Sequence, residues 1–439
     1  MKIYFLSDVF LYYKTGIYNY SKELARAMLA DPNVNINFIT NGETKDWKLE
    51  KELKKIFGPQ VSLHTKYKIL KLTLTHQIKP FFFDDLFDKY KEKYEKNPKN
   101  SYKIILESIR LPRKLGWILA SLYSRFSNRV LRKYFSYFSK GSVLFSPYQT
   151  FRLSKKILNS HSVVTTVHDL IPLIHPEYFE KDHYFKKRIF EPLKYADLIV
   201  TVSENTKLDL LNEANFISQK QVEAIHIAAS DHFKPTLNKS SLSEIKSKYG
   251  IPENSNYVFT VCTIEPRKNH KRLIEAWQKA YSKISGLNNP HLVICGRKGW
   301  GDELNSIIKH ERNIMNSIIF TGYIPDEDLP ILYSGASFSI YPSLYEGFGL
   351  PVLESMKCKT FCLTSNISSM PEIVGPGFPN VDPNSVDDIT EKILLLSNNS
   401  VILNHLSHVQ YERSKLFNWD KTYQKTKTAI KGLIEKKNN

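Results

Sequence analysis

An α/β protein with two parallel-sheet domains is what the sequence predicts, on three observations. The chain has 439 residues, more than one hydrophobic core usually supports, so two domains of roughly 200 residues are expected. Short β-branched and aromatic runs alternate with longer helical patterns from end to end, as in parallel α/β layering. A polar stretch, HFKPTLNKSS (232–241), interrupts that alternation, which then starts afresh. The expected layout is a Rossmann-like domain over 1–235, a second over 245–415 and a C-terminal helix over 416–439 that packs back on the first. Open α/β sheets bind ligands beyond the carboxyl ends of their strands, so the two domains are expected to face each other across a ligand-binding cleft.

In the first domain the strand candidates are KIYFLSDV (2–9), VNINFIT (34–40), VLFSPY (143–148), VVTTVHDL (163–170), LIVTVS (198–203) and VEAIHIA (222–228). Residues 41–142 are too long for one crossover and are expected to hold extra helices as a substrate-specific insertion. The second domain offers YVFTVCTI (257–264), HLVICG (291–296), SIIFTGY (317–323), FSIYPS (338–343) and FCLTSN (361–366). No repeat of solenoid period is found.

Composition narrows the class. At 42% hydrophobic residues and with apolar runs of only a few residues, the domains should be well packed and no transmembrane helix is expected, since a span needs roughly 20 apolar residues. The start, MKIYFLSDVF, reads as a first strand and not as a cleavable signal, which predicts a cytoplasmic protein. Cys262, Cys295, Cys358 and Cys362 lack metal-ligand spacing and read as buried free thiols. The net charge of +18 calls for an anionic partner or a reason to tolerate self-repulsion. Arg110, Arg113, Lys114, Arg125, Arg129, Arg132, Lys133 and Lys140 fall in a stretch without acids, while Leu111, Leu115, Ile118, Leu119, Leu122 and Phe126 share one helical arc. Such a helix either lies on an anionic bilayer, making the protein peripheral to the inner face of the plasma membrane, or covers a sheet. No zinc-finger spacing or RNP-like aromatic motif supports a nucleic-acid partner.

The chemistry concentrates in YEGFGLPVLES (345–355), directly after a strand candidate. Gly347 and Gly349 permit a tight turn with close approach to a ligand, and Pro351 suits the first helical position. The N–H groups of Phe348 to Leu350 would then donate from a helix N-terminus. Glu346 precedes the turn and Glu354 lies about one helical turn in, so two carboxylates can accept from hydroxyls at two ends of one ligand. The bland alternative is an N-terminal charge and a helix-surface acid. Arg267 and Lys268, after another strand, could hold a diphosphate and stabilise a leaving group's charge; Lys271 and Arg272 read as surface bases. Gly16 opens a helical pattern at 20–28 and fits a phosphate-approaching loop. His168 and Asp169 close an apolar run where a strand end would present them, with a structural histidine and a turn-capping aspartate as the alternatives.

These stretches together resemble the retaining, nucleotide-sugar-dependent glycosyltransferases of GT-B fold, family four. The hallmark E-x7-E is Glu346 and Glu354, within EGFGLPVLE. The resemblance extends through EPRKNHKRLIEAW (265–277), LVICGRKGW (292–300), FTGYIPDEDLPILYSGA (320–336), SNISSMPEIVG (365–375), VHDLIPLIHPEYF (167–179) and FNWDKTYQKT (417–426), most of 160–430 in order. It implies that Glu346 lies by the donor sugar, Glu354 on the ribose, Lys268 and Arg267 on the donor phosphates, Gly16 against the diphosphate and His168 by the sugar and its C6 hydroxyl. Gly347, Phe348, Gly349 and Leu350 are implied on the donor, with Asp169 and Tyr323 as further candidates. Two departures are Cys262 and Thr15, where the family often has glycine.

What the resemblance implies is a metal-independent, retaining hexosyltransferase without cofactor. It would move a hexose from a nucleotide sugar to a glycan or lipid-linked glycan acceptor of a cell-surface polysaccharide such as an O-antigen or capsule. The TIEPRKN and VHDLIPL style favours mannose from GDP-mannose. Asp326-Glu327-Asp328 spells the D-x-D of metal-dependent transferases of another fold, but before LPILYSGA it reads as Asp326 capping a helix. Ser203 to Thr206 likewise read as a cap. Two readings from other classes are a nucleotide-sugar epimerase, which would release a free sugar, and a non-catalytic membrane-binding scaffold, which would keep only the basic helix.

Overall fold

A computed structural model describes residues 1–11, 16–39, 46–58, 63–64, 142–150, 161–178, 185–236, 238–299 and 315–438. The basic stretch 110–140 and most of the 41–142 insertion lie outside the described residues. Two compact units result: Met1–Tyr12 with Pro32–Leu144 and Leu153–Ser162, and Tyr13–Asp31 with Phe145–Arg152 and Val163–Asn439.

In the first unit, β1 (Lys2–Leu6), β2 (Asn35–Ile39) and β3 (Leu63–His64) pair in parallel, β2 in the middle. Phe5, Phe10, Phe38 and Phe57 cluster beside them with ring centroids 5.2–6.4 Å apart. Such pairs stabilise beyond their buried area, by about 0.5–1.5 kcal/mol each. β4 (Val143–Ser146) carries the chain from this unit into the second.

In the second unit, β5 (Ser162–Val167), β6 (Leu198–Thr201) and β7 (Val222–Ala224) are parallel neighbours. A five-stranded parallel sheet runs β10-β9-β8-β11-β12, from β8 (Tyr257–Val261), β9 (His291–Cys295), β10 (Ile318–Gly322), β11 (Phe338–Tyr341) and β12 (Cys362–Thr364). β9 and β11 are buried along their whole length, as expected of strands with helices on both faces. Leu273, Ile274 and Trp277 of the helix His270–Tyr281 pack into that core, and burying each large apolar side chain stabilises by about 1.5–3 kcal/mol.

All eleven expected strands form, each shorter than its apolar run. The residues past each carboxyl end, such as Ser7, His168 and Ser343, leave the ladder and line loops; the stretch 222–228 is strand only to Ala224. The polar stretch 232–241 is more packed than its composition suggests: Phe233 is buried, edge-on to Tyr333 at 6.1 Å, and a helix starts at Lys239. The helix Trp419–Asn438 packs on the helix Gly16–Ala30. Trp419 lies 6.2 Å from the Tyr20 ring, and Tyr423 and Lys427 both reach the Asp31 carboxylate. Among the described residues no helix is long and apolar enough to cross a membrane.

Candidate active site

The second unit gathers its chemistry at the carboxyl ends of β5, β8 and β11. After β8 the chain makes a single 3-10 turn, Pro266–Lys268, closed by Asn269 in the left-handed region at φ 63°. Its Nδ2 donates to the carbonyls of Pro342 (3.0 Å) and Pro383 (2.7 Å). Leu344 N–H donates to Arg267 O at 2.9 Å, lacing the turn to the loop that follows β11. Arg267 and Lys268 are thereby delivered to Glu346.

The Glu346 carboxylate is buried and engaged through one oxygen. Its Oε1 accepts from Lys268 Nζ at 2.5 Å, Ser343 Oγ at 2.7 Å and Tyr341 OH at 2.9 Å, with Arg267 Nη1 at 2.8 Å. Burial alone would raise its pKa, but the Lys268 and Arg267 cations outweigh it and hold Glu346 at about 2. Arg267 also donates to Glu265 Oε1 at 2.6 Å and to Tyr345 O at 2.7 Å, while its buried Nε has no partner. Burial works against the Arg267 charge; Glu346, Tyr341 and Glu265 more than restore it.

The segment after β5 lies directly against this loop. A Cβ added at Gly347 would sit 2.0 Å from His168 O and 2.9 Å from Asp169 Cβ, so only glycine fits there. The buried His168 ring presents Nε2 to Pro147 O at 2.8 Å and lies edge-on to Tyr20 at 5.0 Å. Burial lowers its pKa to about 4 against the opposing pull of that carbonyl. A carbonyl only accepts, so Nε2 carries the proton and Nδ1 is left as an acceptor. Burial also raises Asp169 above the usual carboxylate range, against the Ile171 N–H and Arg267. Gly16 closes the other side, where an added Cβ would meet Leu350 Cδ1 at 3.3 Å.

Gly349, at φ 110°, is the N-cap of the helix Leu350–Lys357. That helix begins one residue earlier than expected, so Pro351 is its second residue, where a missing N–H is equally tolerated. Glu354 stands one turn in. Burial, with Asp326 adding to it, pushes its carboxyl up to about 8, and Tyr333 OH at 3.5 Å offsets this only weakly. Their surroundings thus shift Glu346 and Glu354 in opposite directions, the first below and the second above the usual carboxylate value.

Tyr323 is half exposed, its ring under the Arg297 guanidinium at 4.2 Å. Asp326 is not the helix cap. That position is Asp328, which makes no side-chain cap bond because Lys248 (2.7 Å) and Tyr249 (2.5 Å) take its carboxylate. Ser203 does cap its helix, accepting from Thr206 N–H. Cys262 is half-buried instead of buried, 3.3 Å from His270 Nε2. Lys248, Tyr249 and Asp328 make a polar group of their own elsewhere. Sequence reasoning missed Tyr341, Ser343, Ser368 and Ser369; the only available signal was their place at strand ends and in the loop after β12.

The family model for glycosyl transferases group 1 matches residues 242–415, and one relative is 31% identical over 334 residues, covering 75% of this chain and 81% of its own. The chain belongs to that family and is a glycosyltransferase. That relative is the O-antigen chain mannosyltransferase B of Escherichia coli. The serotype-specific mannosyltransferase WbdA, also of Escherichia coli, is 28% identical over 266 residues, 59% of this chain and 32% of that protein. Among solved structures, HepE of Anabaena in complex with UDP and glucose matches at TM-score 0.63 and 14% identity over 98% of this chain and 100% of that one. WaaG, a glycosyltransferase involved in lipopolysaccharide biosynthesis, matches at TM-score 0.60 and 13% identity over 98% and 100%. At these identities the likeness shows the fold, the α/β GT-B class with parallel sheets.

Proposed function

We propose that this glycosyltransferase moves mannose, with retention and without a metal ion, from GDP-mannose to a growing, lipid-linked O-antigen-type glycan. The observation that carries the reading is the seating of Arg267 and Lys268 on Glu346 beside His168, a charge-balanced cluster at the strand ends. The mannosyltransferase names of the relatives support the sugar and the acceptor class.

In this reading Arg267, Lys268 and the Gly16 helix N-terminus hold the diphosphate, and Glu354 holds the ribose hydroxyls. Glu346, the amides of Gly347 to Leu350 and His168 Nδ1 face the sugar, Nδ1 accepting from a hydroxyl. As the bond from the anomeric carbon to the diphosphate oxygen breaks, the two cations take up the charge growing on the leaving group. The ionised Glu346 opposes the positive charge growing on the sugar. The acceptor oxygen bonds to the anomeric carbon from the same face, and its proton passes to the departing diphosphate. The cationic pair supplies what a divalent cation would otherwise supply.

The test is a thermal-shift panel of nucleotides and nucleotide sugars with EDTA present, since a ligand of the native state raises its melting temperature. A rise with GDP-mannose that EDTA leaves intact and Glu354→Ala abolishes supports the reading. A rise confined to UDP-sugars overturns the donor, and one that needs magnesium overturns metal independence.

A further inference from the structure

Four side-chain hydroxyls converge on three consecutive backbone carbonyls of the Glu346–Phe348 turn. Glu346 O accepts from Ser368 Oγ (2.7 Å) and Ser369 Oγ (3.0 Å), Gly347 O from Ser203 Oγ (2.6 Å) and Thr206 Oγ1 (3.1 Å), and Phe348 O from Ser369 Oγ (2.7 Å). Ser203 and Ser369 are both fully buried. A trans peptide points its N–H opposite to its C=O. Pinning these carbonyls therefore aims the N–H groups of Gly347, Phe348 and Gly349 the other way, and none of those amides has an acceptor among the described residues.

The hydroxyls come from two separate elements. Ser203 ends the run after β6 and caps the helix Glu204–Glu213, with Thr206 N–H donating to its Oγ at 3.0 Å, so its own proton is left for Gly347 O. The Glu372 carboxylate holds that helix start in place, accepting from the N–H groups of Glu204 and Asn205 at 2.8 Å each and pairing with His226 at 2.7 Å. Ser369 lies three residues before Glu372, in the loop after β12. A helix cap needs only an acceptor; the donation to Gly347 O is an additional task.

We propose that Ser203 and Ser369 are positioning residues for sugar transfer: their hydroxyls fix the turn so that its amides and Glu346 meet the donor sugar. This rests on the functional reading above, in which the turn holds the sugar while Arg267, Lys268 and Glu354 hold the nucleotide diphosphate. The two serines should therefore act on the sugar part of the donor and not on the nucleotide part.

The experiment is calorimetric titration of Ser203→Ala, Ser203→Thr and Ser369→Ala with GDP and with GDP-mannose, alongside steady-state transfer. The expected result is near-wild-type GDP affinity in both alanine variants, a kcat about tenfold lower, as the loss of one buried hydrogen bond implies, and recovery in Ser203→Thr. GDP binding reports that each variant is folded, and Ser369→Ala decides alone if Ser203→Ala does not fold. A variant that binds GDP and transfers at the wild-type rate overturns the proposal, as does an equal loss of GDP and GDP-mannose affinity. A wild-type chain that binds neither GDP nor GDP-mannose overturns the donor reading and the inference with it.

Discussion

Lys268 Nζ and Glu346 Oε1 lie 2.5 Å apart, both buried, with Arg267 Nη1 at 2.8 Å on the same oxygen. One carboxylate oxygen thus pairs with two cations, and Glu265, 2.6 Å from Arg267 Nη2, supplies the second negative charge. Removing one member leaves a buried charge uncompensated, which typically costs about 3–5 kcal/mol. Glu346→Gln should lower the melting temperature markedly, and a variant as stable as wild type would mean the cations find other partners.

The two acids of E-x7-E should separate kinetically. If Glu346 faces the reacting sugar as proposed, Glu346→Ala should chiefly lower kcat, and Glu354→Ala should chiefly raise the donor KM. Steady-state kinetics with varied nucleotide sugar decides it, and the reverse split refutes the assignment.

Glu354 gives a pH dependence of definite sign. Its folded pKa, about 8, lies above the usual carboxylate value. The folded state therefore holds a proton that the unfolded chain releases, and this contribution to stability is present below the usual carboxylate pKa and lost as pH rises through about 8. In the proposed reading ribose hydroxyls donate to Glu354 and favour its ionised form, so donor binding near neutral pH should release a proton. Calorimetry in buffers of different ionisation enthalpy measures that release, and Glu354→Gln should abolish it.

Glu346 runs the other way. Its carboxyl is depressed to about 2, so its stabilisation is present above the usual carboxylate pKa and is lost as pH falls through about 2. Acid unfolding of Glu346→Gln should accordingly be shallower between pH 5 and 2 than that of wild type, roughly by the one proton taken up.

Gly347→Ala tests the contact between the two loops without touching a charge. The added methyl would stand 2.0 Å from His168 O, so the backbone must move, at a cost of typically about 1–3 kcal/mol. A loss of activity larger than the loss of stability is expected, and near-wild-type kinetics would show that the His168–Gly347 approach is dispensable.

Much of this site was legible in the sequence because it depends on local order. A strand, a glycine-containing turn and a helix place Glu346 and Glu354 in one short stretch, and the same logic puts Arg267 and Lys268 just after β8. Ser369 shows the limit: it lies 23 residues along the chain from Glu346, yet its hydroxyl donates to the Glu346 carbonyl. Asp326 shows another, since the cap position falls to Asp328, whose carboxylate is held by Lys248 and Tyr249, some 80 residues away.

The sequence by itself determined the α/β class, the order of the strands along the chain and the residues of E-x7-E and EPRKN, because periodicity and turn chemistry act over a few residues. Tertiary structure alone decided which way each carboxyl is shifted. Glu346 and Glu354 are the same residue type eight positions apart, but one is surrounded by cations and hydroxyls while the other is half-buried beside Tyr333 with Asp326 nearby. Solvation and Coulomb interactions depend on distance in space, and Lys268 reaches Glu346 across 78 residues of chain.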